Sequence, residues 1–232
     1  MAGQSYIARR SELETYFDRT ASAAWARLTS DAPVSGIRAT VRAGREQMRA
    51  TILSWLPQDM RGLRLLDAGC GTGALANEAA RRGAAVTAVD LAGTLIAHAR
   101  ERAAQLGGNQ PDFRVGDMLD ESLGAFDHVV AMDSLIHYRA EDIVAALARI
   151  APRCARSMIV TVAPRTPLLT LMHAVGRLFP RSDRAPAIEP LAEARLRRLV
   201  AAEPRLADFA LGRHRRVQRG FYTSQAYEWV RR

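Results

Sequence analysis

The stretch Asp67-Ala68-Gly69-Cys70-Gly71-Thr72-Gly73 constrains this chain more than any other. An apolar run, Leu63–Ala68, leads into three alternate glycines, and a helix-period segment, Ala74–Arg82, follows at once. Glycines spaced this way let the backbone approach a bound group closely, while the following helix points its first N–H groups at that group. A ligand loop at a strand-to-helix junction belongs to a parallel sheet with helical crossovers.

The chain beyond the turn repeats this alternation. Short runs rich in Val, Ile, Leu or Ala at Ala85–Asp90, Asp112–Val115, His128–Met132 and Ser157–Val162 read as strands. Thr94–Leu106 and Glu141–Ala151 carry apolar residues at helical spacing between them. The expected fold is α/β, a doubly wound, mostly parallel, Rossmann-like sheet. Phe209–Leu211 and Val217–Thr223, joined through Gly212 and basic residues, suggest an antiparallel pair closing one edge. Ahead of the sheet, Ser11–Leu28 and Thr40–Leu56 read as helices separated by the turn-forming stretch Ser30–Gly36. The expected organisation is a helical arm over residues 1–60 and a ligand-binding domain over 61–232, with a lid-like insertion around 165–190.

Composition narrows the setting. No apolar run approaches the roughly 20 residues needed to cross a bilayer, and Met1–Tyr6 lacks the apolar core of a signal peptide, so a cytoplasmic protein is expected. Cys70 and Cys154 are expected to be free thiols, since a disulfide at Cys70 would obstruct the glycine turn. The net charge of +9, from 33 basic and 24 acidic residues, admits nucleic acid, an anionic membrane surface or an acidic small molecule. Its densest run is Arg213-His214-Arg215-Arg216, and no aromatic-flanked basic motif accompanies it, so nucleic acid is not the expected partner.

The glycines alone do not choose the ligand. With Ala74 in the last slot, Gly69, Gly71 and Ala74 also satisfy the dinucleotide fingerprint. Three acidic residues favour S-adenosylmethionine (SAM). Asp67, two positions before the first glycine, suits an ammonium and would repel a pyrophosphate. Asp90 ends the second strand, where a carboxylate accepts from ribose hydroxyls, a contact that NAD and SAM both need. Gly116-Asp117-Met118 follows the third strand and resembles the methyltransferase element that pairs an acceptor for the adenine amino group with an apolar ring contact. Gly73, Leu91, Met132 and Arg42 complete the expected cofactor contacts.

The block Ala131–Tyr138, the arm elements Tyr16-Phe17-Asp18 and Val41–Arg45, and Ala163–Pro167 together resemble the magnesium protoporphyrin IX O-methyltransferases, from about Tyr16 to Tyr222. The resemblance implies methyl transfer from SAM to a propionate of Mg-protoporphyrin IX in chlorophyll or bacteriochlorophyll synthesis. The magnesium belongs to the substrate and no catalytic metal is implied. It also implies supply of that substrate by a magnesium chelatase, while peripheral contact with the inner or photosynthetic membrane is an expectation from the apolar stretch Pro167–Phe179. Another small-molecule SAM methyltransferase would share the glycine turn and Asp90.

Within this resemblance, His137 is expected to orient the acceptor carboxylate from just past the fourth strand, with Tyr138 assisting. The resemblance implies, for some relatives, a catalytic tyrosine shortly after a Trp-x-Arg element; here Trp25-Ala26-Arg27-Leu28-Thr29 puts Thr29 at that place. Tyr16, Phe17 and Trp25 are expected to stack on the macrocycle, and Arg38 to attract a carboxylate. The apolar stretch Pro167–Phe179, followed by Arg181 and Arg184, is expected to line the porphyrin pocket or touch membrane. His98, His128, His173 and His214 show no metal-ligand spacing.

Overall fold

Leu65, Leu66, Val129, Val130, Ile159 and Val160 are all at most 1% exposed, the pattern of strands covered on both faces. The computed structural model describes residues 3–20, 36–165 and 187–232. Trp25, Thr29, His173, the apolar stretch 167–179 and most of the expected lid lie outside them. Chain order runs α1 (Gln4–Thr15), a π-helical turn (Tyr16–Thr20), α2 (Ile37–Trp55), β1 (Arg64–Ala68), α3 (Ala74–Arg81), β2 (Ala85–Asp90), α4 (Gly93–Leu106) and β3 (Asp112–Val115). It continues through β4 (Phe126–Ala131), α5 (Ala140–Ile150), β5 (Cys154–Val162), α6 (Glu193–Ala202), β6 (Phe209–Arg219) and β7 (Tyr222–Arg231).

The strands form one sheet in the order β3-β2-β1-β4-β5-β7-β6, parallel except that β7 runs antiparallel to both its neighbours. Alternate residues feed two cores. Leu66, Val129 and Val160 meet Leu13 of α1, Ile143 of α5 and Leu196 of α6, while Leu65, Val130 and Ile159 meet Ile52 of α2, Leu75 of α3 and Ile96 of α4. The arm helices are thus built into the cores, one on each face. Strand order turns back at β1, which pairs Asp67 with Ala88 of β2 on one side and with Val130 of β4 on the other. The crevice of such a sheet opens beyond the carboxyl ends of the strands at this switch point.

Two expectations need correction. The C-terminal pair does not turn at Gly212: Phe209–Arg219 is one strand with a register shift between Leu211 and His214, and the hairpin turns at Gly220-Phe221 into β7. The edge position explains the misreading, since residues 212–216 all face solvent and carry no apolar alternation although the ladder continues. The first helix begins at Gln4 rather than Ser11, because Tyr6 and Leu13 are both core residues.

Helix α2 lies against the C-terminal hairpin at Gly44. A Cβ there would stand 2.4 Å from Cδ1 and 2.6 Å from Cβ of Tyr222, atoms too near the backbone to swing aside. Alanine would gain about 1 kcal/mol of helix propensity, whereas overpacking costs about 1–3 kcal/mol. Gly44→Ala should therefore lower stability, seen in a thermal melt as a fall of about 2–4 °C for each kcal/mol lost.

Candidate active site

The glycine turn is built by hydrogen bonds from its own backbone. Gly69 and Cys70 N–H donate to the Val89 carbonyl at 2.8 and 3.0 Å, tying the turn to β2. Gly69 has φ 81°, and a Cβ on it would meet Ser134 at 2.3 Å, so both the conformation and the close approach demand glycine. The Ser134 hydroxyl donates to the Ala68 carbonyl at 2.7 Å and locks this contact.

The turn separates two compartments of one cleft. The first holds Asp90, Leu91, Asp117 and Met118 with Phe17 and His137. The second holds Asp67 with Arg42, Arg49, Arg102 and Glu46. Gly69, Gly71, Met132 and Arg45 border both.

Asp67 is 2% exposed, and its Oδ2 has no hydrogen-bond partner among the described residues. Burial, helped by the nearby Asp90 carboxylate, pushes it up from the ordinary 3.8 to about 7. A buried carboxylate left in this state is suited to a cation. Asp90 is also raised by burial, but backbone donors hold it in place: Gly71 N–H on Oδ2 at 2.8 Å and Ala92 N–H on Oδ1 at 3.0 Å.

Asp117 is gripped by α1. Its Oδ1 accepts from the Tyr6 hydroxyl at 2.8 Å and from Leu119 N–H at 2.9 Å, and its Oδ2 from Arg10 at 3.1 Å. Tyr6 also stacks on Tyr138, ring centroids 4.9 Å apart. Tyr138 is therefore a buried member of the wall beside Asp117, and burial raises its hydroxyl well above the ordinary tyrosine value. His137 is buried, and its Nδ1 donates to the Ala187 carbonyl at 3.2 Å. Its ring lies 6.1 Å from that of Phe17, which meets Tyr16 edge-on at 5.2 Å. Asp18 caps α4, accepting from Thr94 N–H at 3.0 Å, so the π-helical turn is fixed to the domain.

The structure thus brings together Asp67, Gly69, Gly71, Asp90, Leu91, Asp117, Met118, Met132, Arg42, Phe17, His137 and Tyr138 around one cleft. Gly73 begins α3 in left-handed conformation just behind it. Tyr16 reaches the cleft only through Phe17, and Arg38 is exposed on α2, bordering neither compartment. Both cysteines are free thiols. Arg213, from the basic run, is held by buried Glu228 at 2.6 Å and the Trp55 carbonyl at 2.6 Å.

Sequence reasoning missed Tyr6 and Arg10 on Asp117, and it missed Asp133. Asp133 is 9% exposed with φ 56°, and it accepts from Arg45 (2.7 Å), Tyr222 (3.1 Å), Ser224 (3.3 Å) and Thr161 (3.2 Å). The only trace in the sequence was an aspartate directly after a strand.

The raised Asp67 gives a pH signature to the ligand-free protein. A carboxylate with a folded value near 7 against an ordinary 3.8 favours folding while protonated, and that contribution is lost as pH rises from about 4 to about 7. Asp67→Asn should escape this loss. Its melting temperature should gain on the wild type as pH is raised from about 5 to about 8, whereas a constant difference would rule out the raised value.

Residues 131–231 match the family model described as magnesium-protoporphyrin IX methyltransferase C-terminus, and residues 65–156 match a methyltransferase domain. The chain is 48% identical over 225 residues to a magnesium-protoporphyrin O-methyltransferase of Rhodobacter capsulatus, covering 97% of each. It is 31% identical over 220 residues to that of Synechocystis sp., covering 93% of this chain and 94% of the relative. The crystal structure of magnesium protoporphyrin IX methyltransferase from Synechocystis PCC 6803 with bound SAH matches with a TM-score of 0.85 at 30% identity, covering 97% of this chain and 100% of that one. Sheet order, glycine turn and matched length agree, and this chain belongs to the magnesium-protoporphyrin O-methyltransferase family.

Proposed function

We propose that this chain transfers the methyl group of SAM to a propionate carboxylate of Mg-protoporphyrin IX. The observation that supports it most is the buried Asp67 oxygen without a partner, opening on a compartment joined to the one that holds Asp90 and Asp117. Ammonium, ribose and base of one ligand have a carboxylate each along that path. When bound, SAM supplies an electrophilic methyl: the C–O bond to the acceptor forms as the C–S bond breaks, leaving S-adenosylhomocysteine and a neutral ester.

The chain's own residues contribute position and dryness. A propionate is ionised at neutral pH and needs no base. It is a weak nucleophile, so stripping its water and fixing its approach supply the acceleration. Asp67 takes the ammonium, Asp90 the ribose hydroxyls, and Asp117, with Met118 and Leu91, the adenine. The adenine amino group joins Tyr6 and Arg10 on Asp117, whose two oxygens offer about four acceptor sites. Gly69 and Gly71 let the ligand approach the turn closely and Met132 borders it, Gly73 supports the turn from behind against Phe113 and Ala99, and Arg42 faces the ligand's carboxylate end.

His137 orients the acceptor. Its Nδ1 donates to a carbonyl, so Nε2 donates to an oxyanion once the ring is charged, a state that an arriving carboxylate favours. Tyr138 assists by packing against Tyr6, and Phe17, with Tyr16 edge-on behind it, lies on the macrocycle side. At Thr29, where the resemblance implies a catalytic tyrosine in some relatives, this chain offers an aliphatic hydroxyl instead. The apolar stretch 167–179 with Arg181 and Arg184 supports peripheral membrane contact, and a magnesium chelatase would hand over the substrate. Among the described residues no helix is long and apolar enough to cross a membrane.

Incubation with labelled SAM and Mg-protoporphyrin IX should yield labelled monomethyl ester by chromatography, and folded protein that gives none would refute the assignment. The division of roles has its own test. His137→Ala should lower kcat by about tenfold or more with S-adenosylhomocysteine affinity almost unchanged, while Asp90→Ala should weaken that affinity by about tenfold to a hundredfold.

A further inference from the structure

We propose that Arg45 anchors the acceptor carboxylate and that Asp133 is its positioning residue, an assignment that rests on the carboxyl-methylation reading above. Arg45 borders both compartments, together with Gly69, Gly71 and Met132. A ligand stretched from Asp90 to Asp67 passes its middle, the sulfonium, at this shared border. A nucleophile approaching in line with the methyl has to come to rest beside it. A carboxylate that has lost its water there needs a fixed cation, and a guanidinium offers five N–H donors in a planar fork suited to carboxylates.

Asp133 holds that guanidinium from below. The ion pair is 2.7 Å long, with side-chain exposures of 18% for Arg45 and 3% for Asp133. Asp133 is itself fixed, because Tyr222, Ser224 and Thr161 hydroxyls donate to its carboxylate and its own N–H donates to Thr161 Oγ1 at 2.7 Å. Gly44, one residue before Arg45, sits against the Tyr222 ring, so the helix and the carboxylate share one abutment.

The charges explain why a pair serves better than a lone arginine. An uncompensated guanidinium beside a sulfonium would repel the methyl donor, whereas the Arg45–Asp133 pair is neutral at a distance and still donates strongly at contact. Methylation then removes the acceptor's negative charge. The bond to Arg45 loses its charge assistance, and the ester is held less tightly than the acid that entered.

Fluorescence titration of the full-length protein with Mg-protoporphyrin IX and with its dimethyl ester, both with S-adenosylhomocysteine present, tests the assignment. Arg45→Gln should weaken the diacid by about tenfold or more, and leave the diester and S-adenosylhomocysteine within about twofold, since only a charge-assisted bond is lost. Arg45→Lys should recover part of the diacid binding, and Asp133→Asn should show the same selective loss as Arg45→Gln. If Arg45→Gln alone does not fold because Asp133 is left without its cation, the Arg45→Gln/Asp133→Asn double variant removes that buried charge and carries the same expectation. Equal losses for diacid and diester, or a loss of S-adenosylhomocysteine affinity, would overturn the role of Arg45 while leaving the enzyme's activity intact as a reading. Wild type that binds neither porphyrin would overturn the substrate itself, and this assignment with it.

Discussion

A single buried carboxylate, Asp133, ties together the pieces that make the cleft. It leaves β4 in a left-handed conformation and gathers Arg45 from α2, Tyr222 and Ser224 from β7, and Thr161 from β5. Burying a charge without such partners costs several kcal/mol, so the helix, the hairpin and the central strands must come together before it is tolerated. The next residue, Ser134, packs on Gly69 and bonds the Ala68 carbonyl. Placement of α2 is thereby coupled to placement of the glycine turn, although no residue of the turn touches the helix through Asp133 itself.

How much of this was legible follows from the range of each interaction. The parallel core was readable because its strands are buried on both faces and so appear as continuous apolar runs, with β2 and β3 ending where expected. Asp67 and Asp90 were readable because strand ends at a switch point are determined by local pattern. Asp133 was not, since Arg45 and Tyr222 lie 88 and 89 residues away and no periodicity links them. Tyr6 reaches Asp117 across 111 residues, and α1 has little amphipathic contrast to mark which of its residues turn inward. The edge strand β6 was broken in the reading because solvent, not a core, lies against Gly212–Arg216.

The arginine excess that composition left unexplained divides into two uses. Many arginines serve as structural donors: Arg82 to the Leu53 carbonyl, Arg231 to Ala151, Arg100 to Phe113, and Arg213 to Glu228. The first three satisfy chain carbonyls, the fourth pairs with a buried carboxylate, and none requires a partner molecule. A separate group, Arg42, Arg49 and Arg102, collects in the compartment that also holds Asp67.

That collection resolves the ambiguity of the glycine turn on electrostatic grounds. Asp67, raised by burial, gains from a cation, and Arg49, lowered by burial, gains from an anion. A pyrophosphate would answer the arginines and be repelled by Asp67, leaving its desolvation uncompensated. An amino-acid terminus answers both, its ammonium toward the aspartate and its carboxylate toward the arginines. The same turn serves either ligand class; the opposed charges on its far side are what make a zwitterion the better occupant.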